Sequence, residues 1–343
     1  MRTSPHWSPT STSLRGWPSG DPGAAPAHRS GDPQDTQPRR RSRGTIDVVG
    51  ARRQGLAGRR VLVTGADGTI GSATCERLTS LGARVTGLSL PREGAPHVSA
   101  ERVLYGDTRD DATVRAALDE VELVVHLAAI PSPELADWTT VFSTNVVSTF
   151  TVLAHAGERG IRRAVIASSI NAYGGPFNSH DVRPAYYPLD EQLPADLDDP
   201  YSLSKFTDER TAEMAARHWG IDIVALRFPM TAERKVLLEH AERAARHPEE
   251  GVNEGWSYLD SRDAARAIEL SLLSGSRGAH AVFVAADDTT VPFPTEELLD
   301  RHAPGVPRLR SFLGREVPID LTRARTVLGF RAEHHLLPSP QSG

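Results

Sequence analysis

The sequence predicts an α/β protein with a doubly wound parallel sheet of the Rossmann type, and three observations predict it. From Arg59 to Phe228, short apolar runs alternate with stretches of helical periodicity. The apolar runs are nearly continuous rather than alternating, as in strands covered on both faces. The first run, RRVLVTG, leads straight into Gly65, Gly68 and Gly71. A glycine costs a strand or helix about 0.5–1 kcal/mol relative to alanine, so three at one junction mark a constraint other than stability. Right-handed crossovers between such units wind the sheet both ways from its first strand.

The elements follow in order. RRVLVTG is the first strand, and 69–81 the first helix, with Ile70, Ala73, Leu78 and Leu81 apolar. ARVTGLSL and RVLYGD are the second and third strands, the latter ending at Asp107. Residues 110–119 read as a helix, VELVVHLAA as a fourth strand, and 139–159 as a long helix. RRAVIASS is a fifth strand, 201–219 a second long helix, and GIDIVALRF a sixth strand. Residues 174–200 are rich in Pro and Asp without regular pattern, and loops of that length are usually functional or disordered. Beyond Arg227 the pattern is a shorter α+β segment, with helices near 231–246 and 262–273 and a strand AVFVAA.

Composition bounds the rest. The 343 residues are enough for one large α/β unit with a smaller lobe. Residues 1–57 are Pro-, Ser-, Gly- and Arg-rich and read as a disordered tail with no signal-like apolar segment. The expected division is then a dinucleotide-binding domain over 58–227, a small C-terminal substrate lobe over 228–335 and a short tail over 336–343. Cys75 is the only cysteine, which excludes a disulfide framework and a cysteine-rich metal site and favours the cytoplasm. A net charge of −5 gives no reason to expect nucleic acid. No apolar run approaches the roughly 18 residues of a membrane span, and no metal site is expected.

The glycines suit a dinucleotide. Gly65 permits a tight turn, Gly68 lets a pyrophosphate approach the backbone, and Gly71 lets helix and strand pack closely. The helix N-terminus offers free N–H groups and partial positive charge. The acid expected about 20 residues later is missing: the second strand ends Ser89-Leu90-Pro91-Arg92. A serine and an arginine there suit a ribose 2′-phosphate, so NADP is favoured over NAD. Asp107 is placed for the adenine edge or as a helix cap.

Tyr201 and Lys205 stand at i and i+4, on one face of a helix. A free phenol is a poor acid–base catalyst at neutral pH, and a fixed cation nearby stabilises its ionised form. The chain has only two lysines, Lys205 and Lys235. A compact ammonium stands here in a chain whose positive charge is almost always arginine. Ser168 and Ser169 end the fifth strand, where doubly wound sheets bind ligands. His126 reads as a buried structural histidine, and Asn145 as a residue tying backbone segments or capping its helix.

Together these stretches resemble the extended short-chain dehydrogenase/reductase family, of the NAD-dependent epimerase/dehydratase type. The matching segments are VTGADGTIG, GDTRD, VVHLAA, TNVVST, ASSINAYG, PYSLSK, ALRFP, YLDSRDAARA and RARTVLGF, in order from about residue 59 to 332. The resemblance implies that Tyr201 is the catalytic acid–base, Lys205 holds the nicotinamide ribose, and Ser169, four residues before Tyr173, is the catalytic hydroxyl. It places the cofactor against Gly65, Gly68, Thr69, Ile70, Gly71, Ser89, Arg92, Asp107, Thr108, Leu127, Ala128, Ala129, Asn145, Tyr201, Lys205 and Phe228, with Pro229 near the nicotinamide. It also implies a homodimer through the helices at 139–159 and 201–219.

Departures from the family narrow the reaction. The Asp-Glu pair of sugar-nucleotide dehydratases is Ile170-Asn171 here, so elimination lacks its acid and base. Only residues 228–259 separate Arg227 from Asp260, a short segment for seating a nucleotide. Its length resembles that of uronate dehydrogenases, whose Ser-Ser-Asn-His stretch is Ser168-Ser169-Ile170-Asn171 here. The expected activity is NAD(P)-dependent hydride transfer at a secondary alcohol or ketone carbon of a sugar, sugar acid or polyol. Arg262 is a candidate for a substrate carboxylate or a solvated helix-start residue. A sugar epimerase on the same parts is the alternative, and a non-catalytic dinucleotide sensor a third.

Overall fold

The computed structural model describes residues 55–94, 97–180 and 182–337. The tail expected over 1–57 lies outside these residues as far as 54. Of the expected tail, Leu56 is fully buried in the core.

Seven parallel strands form the central sheet: β1 (Arg60–Thr64), β2 (Arg84–Ser89), β3 (Arg102–Tyr105), β4 (Leu123–His126), β5 (Arg163–Ser169), β6 (Asp222–Phe228) and, in space beside β6, a strand at Ala279–Phe283. The spatial order runs β3-β2-β1-β4-β5-β6 and then that last strand. Val61 and Val63 of β1 face one hydrophobic layer and Leu62 the other, which is why the strand reads as an unbroken apolar run. On one side pack α1 (Thr69–Ser80) and a helix at Ser261–Leu273. On the other pack α2 (Asp111–Ala117), α3 (Trp138–Glu158) and α4 (Pro200–Trp219).

Caps fix the helix ends at the carboxyl edge of the sheet. The Asp137 carboxylate accepts from Thr140 N at 3.0 Å, and that of Asp199 from Ser202 N at 2.8 Å, with Pro200 opening α4. Such caps are worth about 1 kcal/mol each. α4 ends where Gly220 turns left-handed, with φ at 70°.

The boundary expected at 227 does not divide the structure. β6 is followed by β7 (Met230–Ala232), α5 (Arg234–Arg246), a 3₁₀ turn (Pro248–Glu254), β8 (Tyr258–Asp260) and α6 (Ser261–Leu273). β7 and β8 pair in parallel as a small second sheet. The chain then returns as β9 (Ala279–Phe283), which pairs in parallel with β6. The seventh strand of the main sheet therefore lies in sequence that reads as the small lobe, because α6 serves as one more crossover. What remains separate is a third hydrophobic cluster around Tyr187, Trp256, Phe283, Phe312 and Ile319, with α7 (Thr295–His302) packed on it. Residues 336–343, expected as a tail, begin with a buried Leu336 whose N–H donates to the Tyr258 hydroxyl at 2.9 Å. Residues 338–343 lie outside the described residues.

The Pro- and Asp-rich segment 174–200 is pinned to this lobe. Tyr187 and Leu189 are fully buried, bridge to Arg308 and Ile319, and the Tyr187 hydroxyl donates to the Val252 carbonyl at 2.7 Å. Among the described residues no helix is long and apolar enough to cross a membrane, and no group of three or more potential metal ligands is found.

Candidate active site

A cavity of about 460 Å³ opens at the carboxyl edge of the sheet. It joins Ile70 of the glycine turn, Leu127 and Ala129 after β4, Ser168 and Ser169 at the end of β5, Tyr201 and Lys205 of α4, and Phe228 and Pro229 after β6. The residues singled out from the sequence for chemistry thus share one space.

Each is held differently. Tyr201 is buried, packs edge-on against Phe177 with ring centroids 5.9 Å apart, and lies with its ring centroid 5.9 Å from Lys205 Nζ. Lys205 Nζ donates to the Ala167 carbonyl at 2.9 Å and pairs with Asp208 at 3.3 Å. Burial pushes the Asp208 carboxyl up, against the pull of the Lys205 charge. Ser169 Oγ accepts from both Asn171 N and Asn171 Nδ2, at 3.1 Å each. With its lone pairs engaged, the hydroxyl has its proton left to donate. Ser168 is turned the other way. It donates to Glu209 at 2.7 Å, and Arg227 grips the same carboxylate through two bonds of 2.8 and 2.9 Å. This buried trio braces the ends of β5 and β6 behind the cavity.

His126 is structural. Its ring nitrogens bond Thr64 Oγ1 at 2.8 Å and Thr149 Oγ1 at 3.2 Å, and burial, aided by the Lys205 charge, pushes its pKa down to about 3. Asn145 ties the loop after β4 to α3 and α4: it accepts from Ile130 N at 2.8 Å and donates to the Ile130 carbonyl at 3.1 Å and to Ser204 Oγ at 3.0 Å.

The turn fits a dinucleotide on steric grounds. Gly65 has φ at 65°, and a Cβ there would meet Ala128 N at 2.8 Å. A Cβ on Gly71 would meet the Gly65 carbonyl oxygen at 2.0 Å. Gly68 begins α1 without a side-chain cap, which leaves the first-turn N–H groups at Thr69 and Ile70 for a ligand's phosphates. At the end of β2, Ser89 is buried and accepts from Asp67 N at 3.1 Å, while Arg92 pairs with Asp67 at 2.8 Å. Asp107 is bound by Arg109 at 2.6 Å, and these bonds hold its carboxyl below the usual range. Thr108 is turned inward to Ser148 Oγ at 2.9 Å.

Arg262 is not in the cavity. It pairs with Asp260 at 2.8 Å and lines a separate groove with Gly68, Thr69 and Ser72. As the second residue of α6 it is drawn to the carboxylate that caps that helix. The cavity is also lined by His240, Arg243 and Glu254, with Phe177 and Met230, none of them evident from the sequence. Helical spacing after Lys205 points to Asp208 and Glu209, but only packing brings α5 to this cavity.

Comparison with known proteins agrees with this geometry. The model of the NAD dependent epimerase/dehydratase family matches residues 61–285. A uronate dehydrogenase from Pseudomonas putida is 27% identical over 68% of this chain and 78% of its own length. An L-arabinose 1-dehydrogenase (NAD(P)(+)) from Haloferax volcanii is 30% identical over 55% of this chain and 74% of its own. A short-chain dehydrogenase/reductase superfamily protein from Agrobacterium tumefaciens, solved with bound NAD, superposes with a TM-score of 0.62 at 25% identity, covering 81% of this chain and 93% of that one. With the glycine turn and the Ser-Tyr-Lys cavity in place, these matches show that the chain is an NAD-dependent enzyme belonging to the NAD-dependent epimerase/dehydratase family.

Proposed function

We propose that the chain is an oxidoreductase that transfers hydride between a nicotinamide cofactor and a secondary carbinol carbon of a sugar, sugar acid or polyol. The observation that carries this reading is the convergence of Ser169, Tyr201 and Lys205 on one cavity that reaches Ile70 of the glycine turn. The N–H groups at Thr69 and Ile70 would hold the pyrophosphate, and Lys205 the nicotinamide ribose. The nicotinamide supplies a hydride acceptor when bound. Ser169 donates a hydrogen bond to the reacting oxygen. Tyr201, whose hydroxyl has no partner among the described residues, takes the proton of that oxygen during oxidation and returns it during reduction. The Lys205 ammonium faces the negative charge that develops on the phenol.

Two features support a small substrate and net oxidation over epimerisation of a nucleotide sugar. The cavity of about 460 Å³ must take both the nicotinamide and the substrate. The segment between β6 and α6 is short and is spent on β7, α5 and β8. Two relatives are dehydrogenases of a uronate and of L-arabinose, which fits the same substrate class. Arg92, at the end of β2 and exposed, supports use of NADP as well as NAD. Exposed Val147 and Phe150 on α3 and Leu203 on α4 support a homodimer through these helices.

The test is a panel of sugars, sugar acids and polyols with NAD+ and NADP+, followed at the absorbance of the reduced nicotinamide. Net reduction with at least one substrate is expected. Interconversion of epimers without net reduction would replace this reading with the epimerase one.

A further inference from the structure

The cavity has a second polar end that the chemistry above does not use. His240 and Arg243 of α5, and Glu254 at the close of the following turn, line it together with Ser169, Tyr201 and Lys205. The trio's cation is already claimed, because Lys205 is bound by Asp208 and the Ala167 carbonyl. Arg243 is the lining cation without an acid partner. Its one bond goes to His240 Nδ1 at 3.2 Å. Glu254 is half-buried, and among the described residues no hydrogen bond reaches its carboxyl. Burial pushes Glu254 up to about 7, with the Arg243 charge acting against the rise. A perturbed acid and a cation without a counter-ion lining one cavity are the kind of groups that gather at functional sites.

We infer that Arg243 and Glu254 form an anion subsite, so that the substrate is a sugar bearing a carboxylate or phosphate beyond the reacting carbinol. The inference rests on the oxidoreductase reading for the identity of the cavity's other end. A guanidinium offers forked donors matched to such oxygens, and protonated Glu254 adds an O–H donor beside it. The other groups nearby do not compete. The His240 ring is pushed towards its neutral form by burial and by Arg243. The Tyr173 phenol is spent on the Asn253 carbonyl. At alkaline pH Glu254 becomes an anion and opposes the ligand, so affinity for the anionic sugar falls as pH rises through neutrality, whereas affinity for a neutral sugar does not.

The test is a calorimetric titration of the full chain, loaded with NADH so that no turnover intervenes, with D-glucuronate, D-glucose 6-phosphate and D-glucose at pH 6 and pH 8.5. One anionic sugar is expected to bind at least tenfold more tightly than glucose at pH 6, and which one distinguishes carboxylate from phosphate. Arg243→Met, an exposed substitution, should erase that preference. Glu254→Gln should keep it and abolish its weakening at pH 8.5. Equal affinity for all three sugars, binding of neither anion, or a preference that survives Arg243→Met overturns the inference. A chain that holds an anionic sugar through Arg243 yet never reduces NAD+ or NADP+ would overturn the oxidoreductase reading and leave this one standing.

Discussion

The two walls of the cavity are built on opposite rules. On the β5–α4 side the charges are paired internally, Lys205 with Asp208 and Arg227 with Glu209, and Ser168 and Ser169 are bonded to Glu209 and Asn171, although Asp208 Oδ1, Asn171 Oδ1 and Arg227 Nη1 have no partner among the described residues. On the α5 wall Arg243 lacks a counter-ion and the Glu254 carboxyl lacks a hydrogen bond among the described residues. The first arrangement fixes catalytic geometry before a substrate arrives, which is how preorganised sites lower a barrier. The second leaves bonding capacity for something from outside. On the proposed reading, paired charges belong to the side that performs chemistry and an unpaired cation to the side that recognises.

The sharpest way to break this comparison is Tyr201→Phe. It removes one hydroxyl from the ordered wall, so turnover should fall about 10²–10⁴-fold while NADH binding, followed by fluorescence, is unchanged. Unchanged turnover would strip that wall of its catalytic meaning. Arg227→Leu attacks the bracing behind it and strands buried Glu209. A loss of about 3–5 kcal/mol in urea denaturation is expected, and a loss below 1 kcal/mol would show that the wall does not depend on its internal pairing. Gly65→Ala forces a Cβ towards Ala128 N from a left-handed backbone. It should cost about 1–3 kcal/mol and weaken NADH binding measurably.

The opposite wall gives a smaller effect of reversed sign. Glu254 is raised from 4.5 in the unfolded chain to about 7 in the fold. The folded chain thus holds an extra proton between these values, and the stability linked to it is present below that window and lost as pH rises through it. Glu254→Gln should therefore melt higher than the parent at pH 8, by about 2 °C, and together with it below about pH 4. Arg92→Ala lies outside both walls and should do least: KM for NADP rises about two- to fivefold, the scale of an exposed ion pair, and KM for NAD holds steady in initial-rate assays.

What could be read from sequence follows the same division. The glycine turn was legible because steric limits at Gly65 and Gly71 leave no other residue type. Tyr201 and Lys205 were legible because helix geometry alone brings i and i+4 together. The membership of β9 in the main sheet was not, since AVFVAA names a strand but not its neighbour. Nor was the role of α5. Leu237 and Ala241 mark its buried face, but His240 and Arg243 read as ordinary surface residues until the lobe places them over the cavity. Arg262, open in the sequence between a substrate carboxylate and a solvated helix-start residue, is half-exposed and paired with the capping carboxylate two residues earlier.

The scarcity of lysine has a practical consequence. Of the two lysine side chains, Lys205 is sealed within the ordered wall and Lys235 stands exposed at the start of α5. Between the two lysines, an amine-directed dye or tether would therefore attach at Lys235 and leave Lys205 untouched. That places a reporter on the helix carrying Arg243, where docking of a ligand can be watched without disturbing the chemistry it precedes.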